Sequence, residues 1–125
     1  MSRKKRVLVA DDRAASRAAV TRMLKNHFDV VEEGDGAGAI ARVKSGLALH
    51  AVLLDVEMPN VNGMEAFHRI SIIAPALAKR VLLLTGGAKD PIIDAWLKAF
   101  DPKRVLRKPV SAGELRGALE RLDQE

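Results

Sequence analysis

Ala51-Val52-Leu53-Leu54-Asp55, followed by Val56-Glu57-Met58-Pro59, is the stretch on which the fold turns. Four consecutive apolar residues without polar alternation read as a short strand buried on both faces, the kind that fills parallel sheets. The run stops on a carboxylate, and residues 56–59 read as a loop rather than a helix cap. Working outward, three further runs stop in the same manner: Val7-Leu8-Val9-Ala10 on Asp11-Asp12, Val81-Leu82-Leu83-Leu84 on Thr85, and Val105-Leu106 on Arg107-Lys108. As parallel strands their carboxyl ends share one edge of a sheet, where open α/β folds keep their sites. Three carboxylates, a hydroxyl and an ammonium would then meet in one crevice.

Between the runs lie longer segments of helical period, and this alternation predicts repeated βα units. Strands are expected near 5–10, 28–33, 51–55, 80–85 and 103–107, and helices near 14–26, 36–46, 64–74, 90–99 and 111–123. The last helix places Leu115, Ala118, Leu119 and Leu122 on one face and opens with a capping box, Ser111-Ala112-Gly113-Glu114. Asp90-Pro91 is a start signal of its own, with the proline where no N–H is needed. Right-handed crossovers fold five such units into a single-domain three-layer α/β/α sandwich, flavodoxin-like and doubly wound, with a five-stranded parallel sheet of order 2-1-3-4-5.

The bulk properties exclude several classes. A chain of 125 residues has one domain's worth of core. The absence of cysteine removes disulfide frameworks and thiolate metal sites. No apolar run is long enough to span a bilayer and no signal peptide is recognisable, so a cytoplasmic location is expected. The net charge of +5 and the Arg3-Lys4-Lys5-Arg6 cluster invite a nucleic-acid reading. With other basic residues scattered and only three Phe and one Trp for stacking, a solvated basic surface is favoured over nucleic-acid binding. Gly34-Asp35-Gly36-Ala37-Gly38-Ala39 matches a dinucleotide-binding pattern, but Glu32, Glu33 and Asp35 would crowd a pyrophosphate with negative charge. A glycine-rich turn into the second helix accounts for it. His27, His50 and His68 lack metal-ligand spacing and read as surface or boundary residues.

Asp11, Asp12 and Asp55 in one crevice would repel and raise one another's pKa values unless a cation were present. A hard divalent ion such as Mg²⁺ suits oxygen ligands and commonly combines one or two carboxylates with phosphate oxygens. With Lys108 and the ion counted, the three carboxylates are balanced, leaving the site poised for a new anion. A carboxylate beside such a metal can attack a phosphoryl donor and form an acyl phosphate. The metal, Lys108, the Thr85 hydroxyl and backbone N–H groups can stabilise the transferring oxygens. Taken singly, each residue has a plainer role: Asp11 or Asp12 in an Asx-turn or helix cap, Thr85 in a turn, Lys108 as a solvated lysine.

Asp11-Asp12, Asp55 with Met58-Pro59 and Gly63, Thr85-Gly86 and Lys108-Pro109 together resemble, in order and across essentially the whole chain, the response-regulator receiver domain of two-component signalling. The resemblance implies one receiver domain over 1–125, with 1–4 a flexible basic tail. It implies that Asp55 accepts a phosphoryl group from a histidine kinase or histidine phosphotransfer protein. Mg²⁺ would be bound by Asp12 and Asp55 directly, by Asp11 through water and by the backbone carbonyl of Glu57. Thr85 and Lys108 would hold phosphoryl oxygens, and Lys108-Pro109 would be cis. The modified domain would signal by a conformational shift to a downstream protein or a fused domain, as a phosphorylatable module rather than an enzyme.

Two departures from the pattern stand out. Val105 occupies the position, three before the lysine, where family members usually carry Tyr or Phe. Phe100-Asp101-Pro102-Lys103-Arg104 lacks the usual Gly-Ala turn. With Thr85-Gly86-Gly87-Ala88, this is similar to receivers of hybrid sensor kinases. Gly87 offers no side chain to orient a hydrolytic water, which implies no unusually fast self-dephosphorylation. A haloacid-dehalogenase-type phosphatase uses similar groups, but its nucleophile lies in Asp-x-Asp on the first strand and its acidic pair comes last, whereas here the acidic pair comes first.

Overall fold

The computed structural model describes residues 4–124. Its elements run β1 (Lys5–Ala10), α1 (Ala14–Leu24), β2 (Phe28–Glu33), α2 (Gly36–Lys44), β3 (Ala51–Asp55), α3 (Gly63–Ile73), α4 (Pro75–Ala78), β4 (Val81–Thr85), α5 (Pro91–Ala99), β5 (Val105–Arg107) and α6 (Ala112–Asp123). The strands form one parallel sheet in the order β2-β1-β3-β4-β5, as expected from the βα rhythm. Of the basic tail expected at 1–4, residues 1–3 lie outside the described residues, and Lys4 is exposed with its Nζ donating to the Lys25 carbonyl at 3.0 Å.

Because strand side chains alternate between faces, each apolar run feeds two cores. Val7, Val9, Leu53, Leu82, Leu84 and Leu106 point to one face and pack against Val20 and Leu24 of α1 and the Leu115, Ala118, Leu119 and Leu122 stripe of α6. Leu8, Ala10, Val52, Leu54, Val81 and Leu83 point to the other and meet Ala39 and Val43 of α2, Ala66 and Ile70 of α3 and Ile93 of α5. Both faces of the sheet are covered, which is why β3 and β4 carry no polar residue until their last position.

Capping boxes start α3 (Asn62 with Glu65) and α6 (Ser111 with Glu114), and Asp90 accepts from Ile92 N–H at 2.8 Å at the start of α5. The glycine-rich turn serves packing. Asp35 caps α2 by accepting from Gly38 N–H at 2.7 Å, and a side chain at Gly36 would collide with the Val61 backbone.

Two local readings differ. Just past the helix expected near 64–74, Pro75 opens the single turn of α4, which was not expected, since a proline suits a first helical position. Residues 102–104 form a 3-10 turn begun by Pro102 and capped by Asp101, so the fifth strand starts at Val105 rather than near 103.

Candidate functional site

The parallel order brings the predicted residues to one edge. Asp11 and Asp12 follow β1, Asp55 ends the adjacent β3, Thr85 ends β4, and Lys108 follows β5 by one residue. Among the described residues, the only fully buried polar or charged side chains are Asp11, Asp55 and Thr85, at 1%, 5% and 5% exposure. Burying such groups costs free energy unless something compensates, so their gathering at one point marks a site.

Carboxylate oxygens of Asp11, Asp12 and Asp55 lie within 4.8 Å of one another. Lys108 Nζ donates to Asp11 Oδ2 at 2.8 Å and lies 3.3 Å from Asp55 Oδ1. Its backbone N–H donates to the Thr85 carbonyl at 2.9 Å, which seats the chain ahead of the cis Lys108–Pro109 bond. One ammonium therefore contacts two of the three carboxylates, Asp11 and Asp55, and Asp12 stands exposed beside them. Burial, reinforced by the charges of Asp11 and Asp12, pushes the Asp55 carboxyl up to about 6 against the pull of Lys108. For Asp11, burial also pushes upward, but hydrogen bonds from Lys108, Ser16 and the Arg13 backbone outweigh it and hold the carboxyl below its ordinary value.

The donor set fits a hard divalent cation. Three carboxylate oxygens converge with one ammonium among them, which leaves room for a cation's charge. Imidazole and thiolate are absent from this cluster, which disfavours a softer metal.

The plainer roles coexist with this chemistry. Asp11 Oδ1 accepts from Arg13 N–H at 2.9 Å, an Asx-turn at the start of α1, while Oδ2 takes Lys108. Thr85 Oγ1 accepts from Gly87 N–H at 3.0 Å, and Gly87 has a φ of 111°. Glu57 stands two residues past Asp55 with its side chain exposed, Oε1 accepting from Lys89 N–H at 3.1 Å.

The structure adds a reason for one residue the motif already held, Gly63, and two supports of the site that sequence reasoning missed. A Cβ on Gly63 would lie 2.7 Å from the Asp55 carbonyl oxygen and from Val56 Cα, so only glycine lets α3 start this close to the end of β3. Arg17 Nη1 donates to the Asp11 carbonyl at 2.7 Å while its Nε pairs with Glu32 at 3.0 Å, fixing the peptide that carries the acidic pair. The Glu57–Lys89 bond joins two loops far apart in sequence. Gly63 had a signal in its motif; the other two had none.

The sequence pattern of the family described as response regulator receiver domain matches residues 7–120. Over 119 residues the chain is 33% identical to protein-glutamate methylesterase/protein-glutamine glutaminase 1 of Rhizobium johnstonii, covering 93% of this chain and 33% of that protein. It is 30% identical over 115 residues to the autoinducer 1 sensor kinase/phosphatase LuxN of Vibrio harveyi, covering 90% of this chain and 13% of the relative. The chain thus spans a third or less of the length of these curated relatives. Among solved structures, a CheY-like response regulator receiver domain protein from Methanospirillum hungatei superposes with a TM-score of 0.83 over 98% of this chain and 96% of that one, at 22% identity. The receiver domain of sensor histidine kinase PA1611 from Pseudomonas aeruginosa, solved with a magnesium ion coordinated in its active site cleft, gives a TM-score of 0.81 over 98% and 100%, at 23% identity. At these identities the two structures speak for the shared fold.

Proposed function

This chain belongs to the response regulator receiver domain family of two-component signalling, and on that footing we propose that Asp55 is its phosphoacceptor. The observation that carries the assignment is the state of that carboxylate. It is buried and faces Lys108 at 3.3 Å, and burial, reinforced by the charges of Asp11 and Asp12, raises its pKa to about 6.

In the proposed reaction an Asp55 carboxylate oxygen attacks the phosphorus of a phosphohistidine on a histidine kinase or phosphotransfer protein. The P–N bond breaks, the imidazole leaves and takes up a proton, and an acyl phosphate remains. Lys108, already between Asp11 and Asp55, follows the charge onto a phosphoryl oxygen, and the Thr85 hydroxyl donates to another. Asp12, Asp55 and the Glu57 carbonyl would hold Mg²⁺ directly and Asp11 through water. The ion would neutralise charge between the attacking carboxylate and the phosphoryl oxygens. Water attacking the phosphorus later returns the carboxylate and inorganic phosphate. The domain is read as a stoichiometrically modified signalling module rather than an enzyme that turns over a phosphomonoester. Its output passes to a downstream protein or a fused domain.

The same reading carries a cytoplasmic location and no nucleic-acid partner. Among the described residues, no helix is long and apolar enough to cross a membrane.

Incubation with acetyl phosphate and Mg²⁺ should yield one acid-stable, base-labile phosphate per chain, absent from Asp55→Asn and absent without the metal. Retention of the label in Asp55→Asn, independence from Mg²⁺, or many turnovers on a phosphomonoester would overturn the assignment.

A further inference from the structure

The segment Gly86–Lys89, which joins β4 to α5, is exposed at Gly86, Gly87 and Lys89, and only Ala88 packs against the core beside α5. A Cβ built on Gly86 or Gly87 meets nothing within 4 Å, and Gly87 sits at a positive φ that side chains rarely adopt. Two hydrogen bonds restrain the segment. One is local, from Gly87 N–H to the hydroxyl of Thr85. The other crosses the β3–β4 seam, from Lys89 N–H to Glu57 Oε1, and joins this segment to the loop that begins at Asp55. Immediately beyond lie the Asp90 cap and α5, whose Trp96 packs against Phe67 and Phe100 with ring centroids 5.8 and 5.1 Å away.

We propose that the Glu57 carboxylate is a positioning residue that latches the Gly86–Lys89 segment in its unmodified place, and that release of this latch carries modification at Asp55 to α5. The inference rests on the phosphoacceptor reading for its trigger. Once a phosphoryl group stands on Asp55, the Thr85 hydroxyl turns to donate to it and the local restraint on Gly87 is given up. The carboxylate of Glu57, two residues from Asp55, then faces a new dianion and is driven away from it. The segment, free of side-chain contacts at two glycines, moves with Lys89, Asp90 and the first turn of α5. This route needs no aromatic residue on β5, where Val105 is half-buried in the core beside α5.

The test compares Glu57→Ala, which deletes the acceptor, with Glu57→Gln, which keeps an acceptor oxygen but no charge, in the whole chain. The first readout is hydrogen exchange at the Lys89 amide in the free protein. It should quicken about fivefold in Glu57→Ala, the loss of one hydrogen bond's protection, and stay slow in Glu57→Gln. The second is the fluorescence of Trp96, the only tryptophan, before and after phosphorylation with acetyl phosphate and Mg²⁺. Glu57→Ala should start near the modified wild-type signal and change little, whereas Glu57→Gln, which keeps the bond but not the charge that drives its release, should start at the unmodified wild-type signal and change less than wild type does. Unchanged exchange in Glu57→Ala, or equal fluorescence effects of both substitutions, overturns the latch. The exchange arm uses no phosphodonor. Failure to label Asp55 with the exchange result intact therefore refutes the acceptor assignment and leaves the restraint standing.

Discussion

At the amino edge of the sheet Arg80 donates from Nε to the His50 carbonyl at 2.6 Å, from Nη1 to the Leu122 carbonyl at 3.2 Å and from Nη2 to Asp123 Oδ1 at 2.6 Å. At the carboxyl edge Lys108 stands alone against Asp11, Asp12 and Asp55. In the first cluster one carboxylate meets a planar fork whose nitrogens are all engaged, and the hydrogen bond from Arg80 holds Asp123 below the ordinary carboxylate range. In the second, charge is left over, and a buried carboxyl is pushed up to about 6. Both clusters join strands to helices across the same sheet. A balanced cluster is a clamp, and an unbalanced one waits for a ligand.

Removing the leftover charge should erase the difference, with the largest effect of the substitutions considered at the two edges. The folded-state pKa of Asp55 lies above its unfolded value of 3.8, so the folded form holds that proton more tightly. Stability from this group therefore falls as pH rises from about 3.8 through about 6 and stays low above that. Asp55→Asn should be more stable than wild type by about 3 kcal/mol at pH 7 without Mg²⁺, and most of the gap should close by pH 4. Urea unfolding in a chelating buffer measures both, and an advantage equal at the two pH values would sink the account.

The amino edge should respond in the opposite sense. Arg80→Ala leaves the His50 and Leu122 carbonyls without their donor and should cost about 1.5 kcal/mol, with little of it from the half-exposed pair to Asp123. Mg²⁺ then separates the two edges. At ten times its Kd it should stabilise wild type by about 1.4 kcal/mol, stabilise Arg80→Ala by the same amount, and do less for Asp12→Asn and Asp55→Asn. Equal stabilisation of all four proteins would mean that the ion binds elsewhere.

The carboxyl edge was legible in the sequence and the amino edge was not, for a physical reason. Buried parallel strands are unbroken apolar runs, so the point where each stops, at Asp11, Asp55, Thr85 and Lys108, is visible residue by residue, and the sheet order brings those stops together. Arg80 precedes such a run and reads as one scattered cation among many. Its value depends on where α6 ends, which no local pattern states. The side-chain bonds of Arg17 and Glu57 escaped notice likewise, since a bond to the Asp11 carbonyl or to Lys89 N–H depends on how distant segments approach in space. Pro75 and Pro102 lie between expected elements, but a proline that follows one element starts another equally well, and the turns they open were missed.

The smallest effect sets the two edges against each other on one pH axis. His50 stacks on Phe28 at 6.0 Å, with Nε2 3.2 Å from Arg80 and 3.1 Å from Asp123. Burial lowers its pKa, Asp123 opposes this, and the cations Arg80 and Lys5 add to it. Its folded-state value lies below the unfolded 6.5, so its contribution is complete above about 6.5 and is lost as pH falls through the folded value. Acidification therefore loosens the amino edge over the range in which protonation of Asp55 relieves the carboxyl edge. In wild type the two trends oppose and partly cancel. In Asp55→Asn the relief is gone, and stability should decline as pH drops from 7 to 5. Adding His50→Gln should flatten that decline, a change of less than about 1 kcal/mol because the ionic partner is half-exposed. Identical slopes in the single and double variants would show that the amino edge does not titrate through His50.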